Sequence, residues 1–145
     1  MSMSASTLRL TYEVEKDDLA RAGEASSQVK QTLRKLGFDP ETIRRVAVCM
    51  YEGEINMVIH ADGGQATVDI GLDAITVTLA DHGPGIPDVD LAMQAGYTTA
   101  GEAVRDLGFG AGMGLPNMKK YSDSMTIDTT VGVGTTVTMV ILIPQ

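Results

Sequence analysis

Ala74-Ile75-Thr76-Val77-Thr78-Leu79-Ala80 sets Ile, Val and Leu in alternation with threonine, then breaks at Asp81-His82-Gly83-Pro84-Gly85-Ile86 into a carboxylate and a glycine turn. Period-two alternation over that length describes a strand with one buried face, and Gly-Pro-Gly ends it. Gln65 to Ile70 alternates in the same way. Gly71-Leu72-Asp73 between the two is far too short for a parallel crossover, so they form an antiparallel hairpin. Ser124 to Thr129 and Thr135 to Ile143 repeat the pattern around Val131-Gly132-Val133-Gly134.

Upstream, Leu8 to Val14 reads as another strand. Asp17 or Asp18 then caps a helix running to about Leu36, which Gly37 ends. Asp39-Pro40-Glu41 pairs an N-cap with proline at the first helical position, and this second helix runs to about Ala61 before Asp62-Gly63-Gly64. A short helix covers Asp88 to Gln94. The polar, glycine-rich stretch from Gly96 to Gly112 is longer than an ordinary connection and reads as a functional lid. Met113 to Tyr121 is the last helix. The expected architecture is a single α+β domain over residues 1–145. It is a two-layer sandwich, with an antiparallel or mixed sheet on one side and the three larger helices on the other.

Composition bounds the function. The chain has 145 residues, 43% of them hydrophobic, and a formal net charge of −8. That acidity disfavours a nucleic-acid surface, which needs clustered Lys and Arg. The single Cys49 rules out a disulfide framework within the chain and a thiolate cage for zinc. No apolar run approaches the ~20 residues of a membrane span, and the N-terminal segment lacks a basic and an apolar region. The expectation is a cytoplasmic protein with neither nucleic acid nor membrane as partner.

Ile43, Ala47, Met50 and Met57 share one face of the second helix, and Val48, Cys49, Ile55 and Ile59 lie largely opposite, so this helix is buried on two sides. Glu52, Asn56 and His60 form a polar ridge along it at four-residue steps. Glu52 and Asn56 are one turn apart, so a carboxylate and a carboxamide leave one face together and can hold a divalent cation or position a nucleophile. Taken alone, the ridge reads equally well as a satisfied core hydrogen-bond network. Gly108-Phe109-Gly110-Ala111-Gly112-Met113-Gly114 precedes a helix whose free N–H groups can meet a polyphosphate without side chains in the way. Arg105 is a weaker candidate for a phosphate contact, and Lys119 and Lys120 read as solvated.

In order and spacing these segments resemble the N, G1 and G2 boxes of the GHKL ATPases, which bind ATP in the Bergerat fold. Within that superfamily the chain is similar to small anti-sigma and switch-type serine/threonine kinases. The resemblance rests on Glu52-Gly-Glu-Ile-Asn56 with His60, Gly83-Pro-Gly-Ile-Pro-Asp88, Leu91-Ala-Met-Gln94, Gly96-Tyr-Thr-Thr99, Gly112-Met-Gly-Leu-Pro116 and Gly134-Thr135-Thr136.

The resemblance implies ATP or ADP as ligand. Asp81 would accept the adenine amine, Gly83, Gly85 and Ile86 would surround the base, and Thr135 would support that contact through water. Gly108, Gly110, Gly112, Met113 and Gly114 would lie along the phosphates. It further implies Asn56 as a Mg2+ ligand, Glu52 as the general base toward an incoming hydroxyl, and His60 as a packing residue near Asn56. The implied partners are a STAS-domain antagonist, a sigma factor and a second copy of the chain. Gly53 and Glu54 depart from the small or apolar residues that the family usually has there. This departure motivates a second reading, a nucleotide-gated module that sequesters a partner without efficient phosphoryl transfer.

Overall fold

The computed structural model describes residues 8–16, 18–94 and 114–145, apart from the side chains of Leu19 and His60. Five strands appear where alternation places them. They are β1 (Leu8–Val14), β2 (Gly64–Ile70), β3 (Ala74–Asp81), β4 (Ser124–Thr130) and β5 (Gly134–Leu142). They form one sheet of order β1-β2-β3-β5-β4 in which every neighbouring pair is antiparallel. The expectation of an antiparallel or mixed sheet therefore resolves to the antiparallel case.

Alternation gives the sheet two unlike faces. Ala66, Val68, Ile75, Val77, Leu79, Val137, Met139 and Ile141 are buried on the side that the helices cover. On the other side the register aligns Thr11, Thr67, Thr78, Thr138 and Thr126 in one row across all five strands. The helices are α1 (Glu24–Lys35), α2 (Pro40–His60), the single turn α3 (Val89–Ala92) and α4 (Gly114–Tyr121).

Asp39 caps α2 as its sequence predicts, accepting bonds from the Thr42 amide at 3.0 Å and the Thr42 hydroxyl at 2.6 Å. Val46, Cys49, Met50, Met57 and Val58 of α2 enter the core. Gly53 faces the sheet, and a Cβ there would overlap the Leu79 side chain of β3. The helix axis thus lies closer to the sheet than any larger residue permits.

The first helix differs from its expected start at Asp17 or Asp18. A short 3-10 turn (Leu19–Arg21) comes first, and Gly23, at φ 93°, turns the chain before α1 begins at Glu24. Gly23 brings no side chain to cap α1. The cap comes from α2 instead: Glu54 accepts from the backbone N–H of Ala25 and of Ser26, both at 3.2 Å. Glu54 is 3% exposed. Its departure from the family pattern is therefore structural, tying two helices together through a carboxylate at a helix N-terminus.

Burial pushes the Glu54 carboxyl above its ordinary value, outweighing the opposite pull of the Ala25, Ser26 and Gly23 N–H groups. A carboxyl raised on folding stabilises most below its unfolded pKa and loses that contribution as pH rises through its folded value. Replacing Glu54 with Ala leaves two buried helix donors without an acceptor and is expected to cost about 1–2 kcal/mol. The difference in unfolding free energy between wild type and Glu54→Ala should shrink as pH is raised from about 5 to 8. Urea titrations at several pH values check both statements, and a difference that grows with pH would contradict the second.

Candidate functional site

Two groups of side chains meet along α2. The first is a seam with α4, in which Arg45, Cys49, Glu52 and Asn56 of α2 face Tyr121, Met118, Asn117 and Gly114 of α4 in antiparallel order. On α2 these positions step by four, three and four residues, and on α4 the adjacent Asn117 and Met118 each lie one turn from Gly114 and from Tyr121, so each set lies along one side of its helix. Leu115 and Met118 supply the apolar contact. At one end Arg45 donates from Nε to the Tyr121 carbonyl at 3.1 Å and pairs with Asp123 at 2.9 Å. A cation on the last carbonyls of a helix satisfies acceptors that the helix itself cannot. Next along the seam, the Cys49 thiol lies 3.7 Å from the Met118 carbonyl. Burial pushes this thiol up to about 12, so it is not a thiolate nucleophile at neutral pH.

Glu52 follows. Its Oε2 accepts from Nδ2 of Asn117 at 2.7 Å. Asn56 closes the seam beside Gly114, where a Cβ would sit 3.0 Å from both polar atoms of the carboxamide. The missing side chain leaves the Asn56 amide open.

The second group is the turn after β3. Oδ1 of Asp81 accepts from the Gly83 amide at 2.9 Å and from the Thr135 amide at 3.0 Å. Among the described residues nothing donates to Oδ2, so one carboxylate oxygen fixes the turn and the other takes no part in it. Gly85, at φ 81°, brings the turn against Thr130 and Val131, and Gly132 donates to the Pro84 carbonyl at 2.7 Å. The Ile86 amide donates to Oγ1 of Thr129 at 2.9 Å, and that hydroxyl lies 2.8 Å from Oγ1 of Thr135. Gly83 packs against Ala61 at the end of α2. Ala61 is five residues beyond Asn56, so roughly 7.5 Å of helix axis separates the two groups.

The structure thus brings Glu52, Asn56 and Gly114 together, and separately Asp81, Gly83, Gly85, Ile86 and Thr135. Gly108, Gly110, Gly112, Met113, Arg105 and the expected lid lie outside the described residues, as does the side chain of His60. Sequence reasoning missed Asn117 and Thr129. For Asn117 the available signal was its place one turn after Gly114; for Thr129, the six-residue spacing to Thr135 across the Val131-Gly132-Val133 turn. A hollow of about 620 Å³ between α1 and α2 has Lys30, Arg34, Phe38, Ile43, Tyr51 and Glu52 in its walls. It does not reach Asp81. The described residues contain no cluster of three or more His, Cys, Asp or Glu able to hold a metal.

Comparison with known proteins places this geometry. The family model of the histidine kinase-like ATPase domain matches residues 16–141. The chain belongs to that family. This ATPase domain is 29% identical over 110 residues to the serine/threonine-protein kinase RsbT of Bacillus subtilis, covering 73% of this chain and 77% of that protein. It is 33% identical to the anti-sigma F factor of Pasteuria penetrans, covering 71% of each. The anti-sigma F factor of Caldanaerobacter subterraneus subsp. tengcongensis is 35% identical over 109 residues, covering 70% of this chain and 73% of that one. Among solved structures, the RsbU and RsbW domains of Rv1364c from Mycobacterium tuberculosis share the fold. The match has a TM-score of 0.59 at 16% identity, covering 95% of this chain and 33% of that longer one. No helix among the described residues is long and apolar enough to cross a membrane.

Thr129 is expected to hold the Asp81 turn of the ATPase domain in place. Thr129→Val keeps the shape but leaves the Ile86 amide and the Thr135 hydroxyl without their partner. The expected loss is about 1–3 kcal/mol in a denaturant titration, and an unchanged midpoint would show that water replaces the hydroxyl without cost.

Proposed function

We propose that the chain is an ATP-dependent serine/threonine protein kinase of the anti-sigma and switch-kinase type. In this reading it acts in the cytoplasm and phosphorylates a STAS-domain antagonist protein. A sigma factor and a second copy of the chain are its further partners. The observation that carries the reading is the pairing of Glu52 and Asn56 on one face of α2, beside the opening that Gly114 leaves. The anti-sigma and kinase relatives support it.

Asp81 binds the adenine amine through Oδ2, while its Oδ1 keeps the turn folded. Mg2+ bound at Asn56 would offset the negative charge of the phosphates during transfer. Glu52 takes the proton of the acceptor hydroxyl as its oxygen bonds to the γ-phosphorus. The bond from that phosphorus to the bridging oxygen of ADP breaks, and phosphoserine or phosphothreonine and ADP leave. The hollow that Glu52 helps to line offers the acceptor protein a route to this carboxylate, with Lys30 and Arg34 on its α1 wall. The gated-binder reading rested on Gly53 and Glu54. Both are accounted for by packing against Leu79 and capping of α1, which leaves that reading without an observation of its own.

In Asp81→Asn, the amide cannot keep both backbone donors and also accept from the adenine amine. ADP affinity measured by titration calorimetry should fall by about 1.5–3 kcal/mol, and unchanged affinity would remove Asp81 from the adenine site.

The function itself is tested with γ-labelled ATP and Mg2+, using the STAS-domain protein that the ATP-loaded chain retains from its own cell extract. Wild type should transfer label to serine or threonine in a single turnover. Glu52→Gln should bind ADP normally and transfer roughly 10²–10⁴-fold more slowly. Absence of transfer by the wild-type chain would favour the gated binder.

A further inference from the structure

We propose that Asn117 is a positioning residue that orients the Glu52 carboxylate for proton abstraction. The inference rests on the proposed role of Glu52. Its Nδ2 lies 2.7 Å from Glu52 Oε2, within the range of a charge-assisted hydrogen bond. Among the described residues this is the only side-chain donor to Glu52. It occupies one oxygen and leaves Oε1 for the acceptor hydroxyl. A neutral amide suits that task, because a lysine or arginine in its place would form an ion pair and draw away the basicity the step requires.

The position of Asn117 is fixed independently of Glu52. One turn before it, Gly114 lies against Asn56. One turn after it, Arg45 of α2 holds the Tyr121 carbonyl. Between them, Leu115 and Met118 are buried against the core. The donor is therefore carried on a helix clamped at both ends, and it sits on the first turn after the Gly108 to Gly114 segment. The helix that follows the glycines assigned to the phosphates is thus the one that aims the base. Groups that orient a reacting or ligating side chain typically change activity by about 10–100-fold when removed.

The test uses Asn117→Asp, which keeps the shape but turns the donor into a second carboxylate, and Asn117→Ala, which removes it. Single-turnover transfer to the same STAS-domain acceptor should slow about 10–100-fold in both, with Asp the slower, while ADP affinity stays at the wild-type value. In the Glu52→Gln background, Asn117→Asp should have no further effect on transfer, because a residue acting only through Glu52 cannot be lost twice. A readout free of activity accompanies this: in the protein without nucleotide, Glu52→Gln should shift the Asn117 side-chain amide resonances. Undiminished transfer by Asn117→Asp, an equal loss in both backgrounds, or amide resonances indifferent to Glu52→Gln would each overturn the proposal. If Glu52→Gln alone transfers at the wild-type rate, the base assignment itself fails and the positioning role falls with it. That outcome is distinct because no Asn117 variant is needed to see it.

Discussion

Gly53 lets α2 lie directly on Leu79 of β3, and the rest of the site takes its bearings from that contact. Successive residues on a helix turn by about 100°. With Gly53 pressed to the sheet, its two neighbours are sent to opposite flanks: Glu52 toward α4 and Glu54 toward α1. Three consecutive residues thus address three separate elements. Asn56, one turn beyond Glu52, faces the start of α4 as well. The two carboxylates differ in fate only because of this rotation. One is half-exposed in the wall of an open hollow, and the other is sealed against a helix terminus.

The same arrangement explains why so short a helix as α4 is well placed. Eight residues make a marginal helix in isolation, and most of its stability must come from packing. Arg45 satisfies its last carbonyl, Leu115 and Met118 bury its apolar face, and Asn117 reaches Glu52. At the other end of α2 the loop network of Asp81, Thr129 and Thr135 works in a similar way, replacing regular ladder bonds with side-chain bonds to backbone amides. The proposed adenine end and the proposed catalytic end are each built on a carboxylate with one oxygen already engaged, Oδ1 of Asp81 by two backbone amides and Oε2 of Glu52 by the Asn117 carboxamide. Among the described residues no side chain donates to the other oxygen of either.

Much of this was legible in the sequence, and the parts that were not share a cause. The strands followed from strict alternation, and α2 from an Asp-Pro start that the structure reproduces with the Asp39 to Thr42 bonds. The order of glycine boxes carried the family. The start of α1 was not legible, because the residue that caps it lies about thirty positions downstream on another helix, and local cap rules favour Asp17 or Asp18 instead. Asn117 and Thr129 escaped for a related reason: their importance depends on which helix face and which strand register they meet. The pairing of β3 with β5 joins segments nearly sixty residues apart, which left the sheet's parallel or antiparallel character open until the fold was known.

The row formed by Thr11, Thr67, Thr78, Thr138 and Thr126 crosses the sheet on the side that no helix among the described residues covers. Threonine combines a branched Cβ, which stiffens extended backbone, with a hydroxyl that water can reach. The sheet can therefore keep the strand preference of valine on a face that remains wettable. A valine row in the same register would present a flat greasy stripe, the kind of surface through which β proteins stick to one another. With hydroxyls there, that face can meet water as it stands and does not require a third layer to hide it.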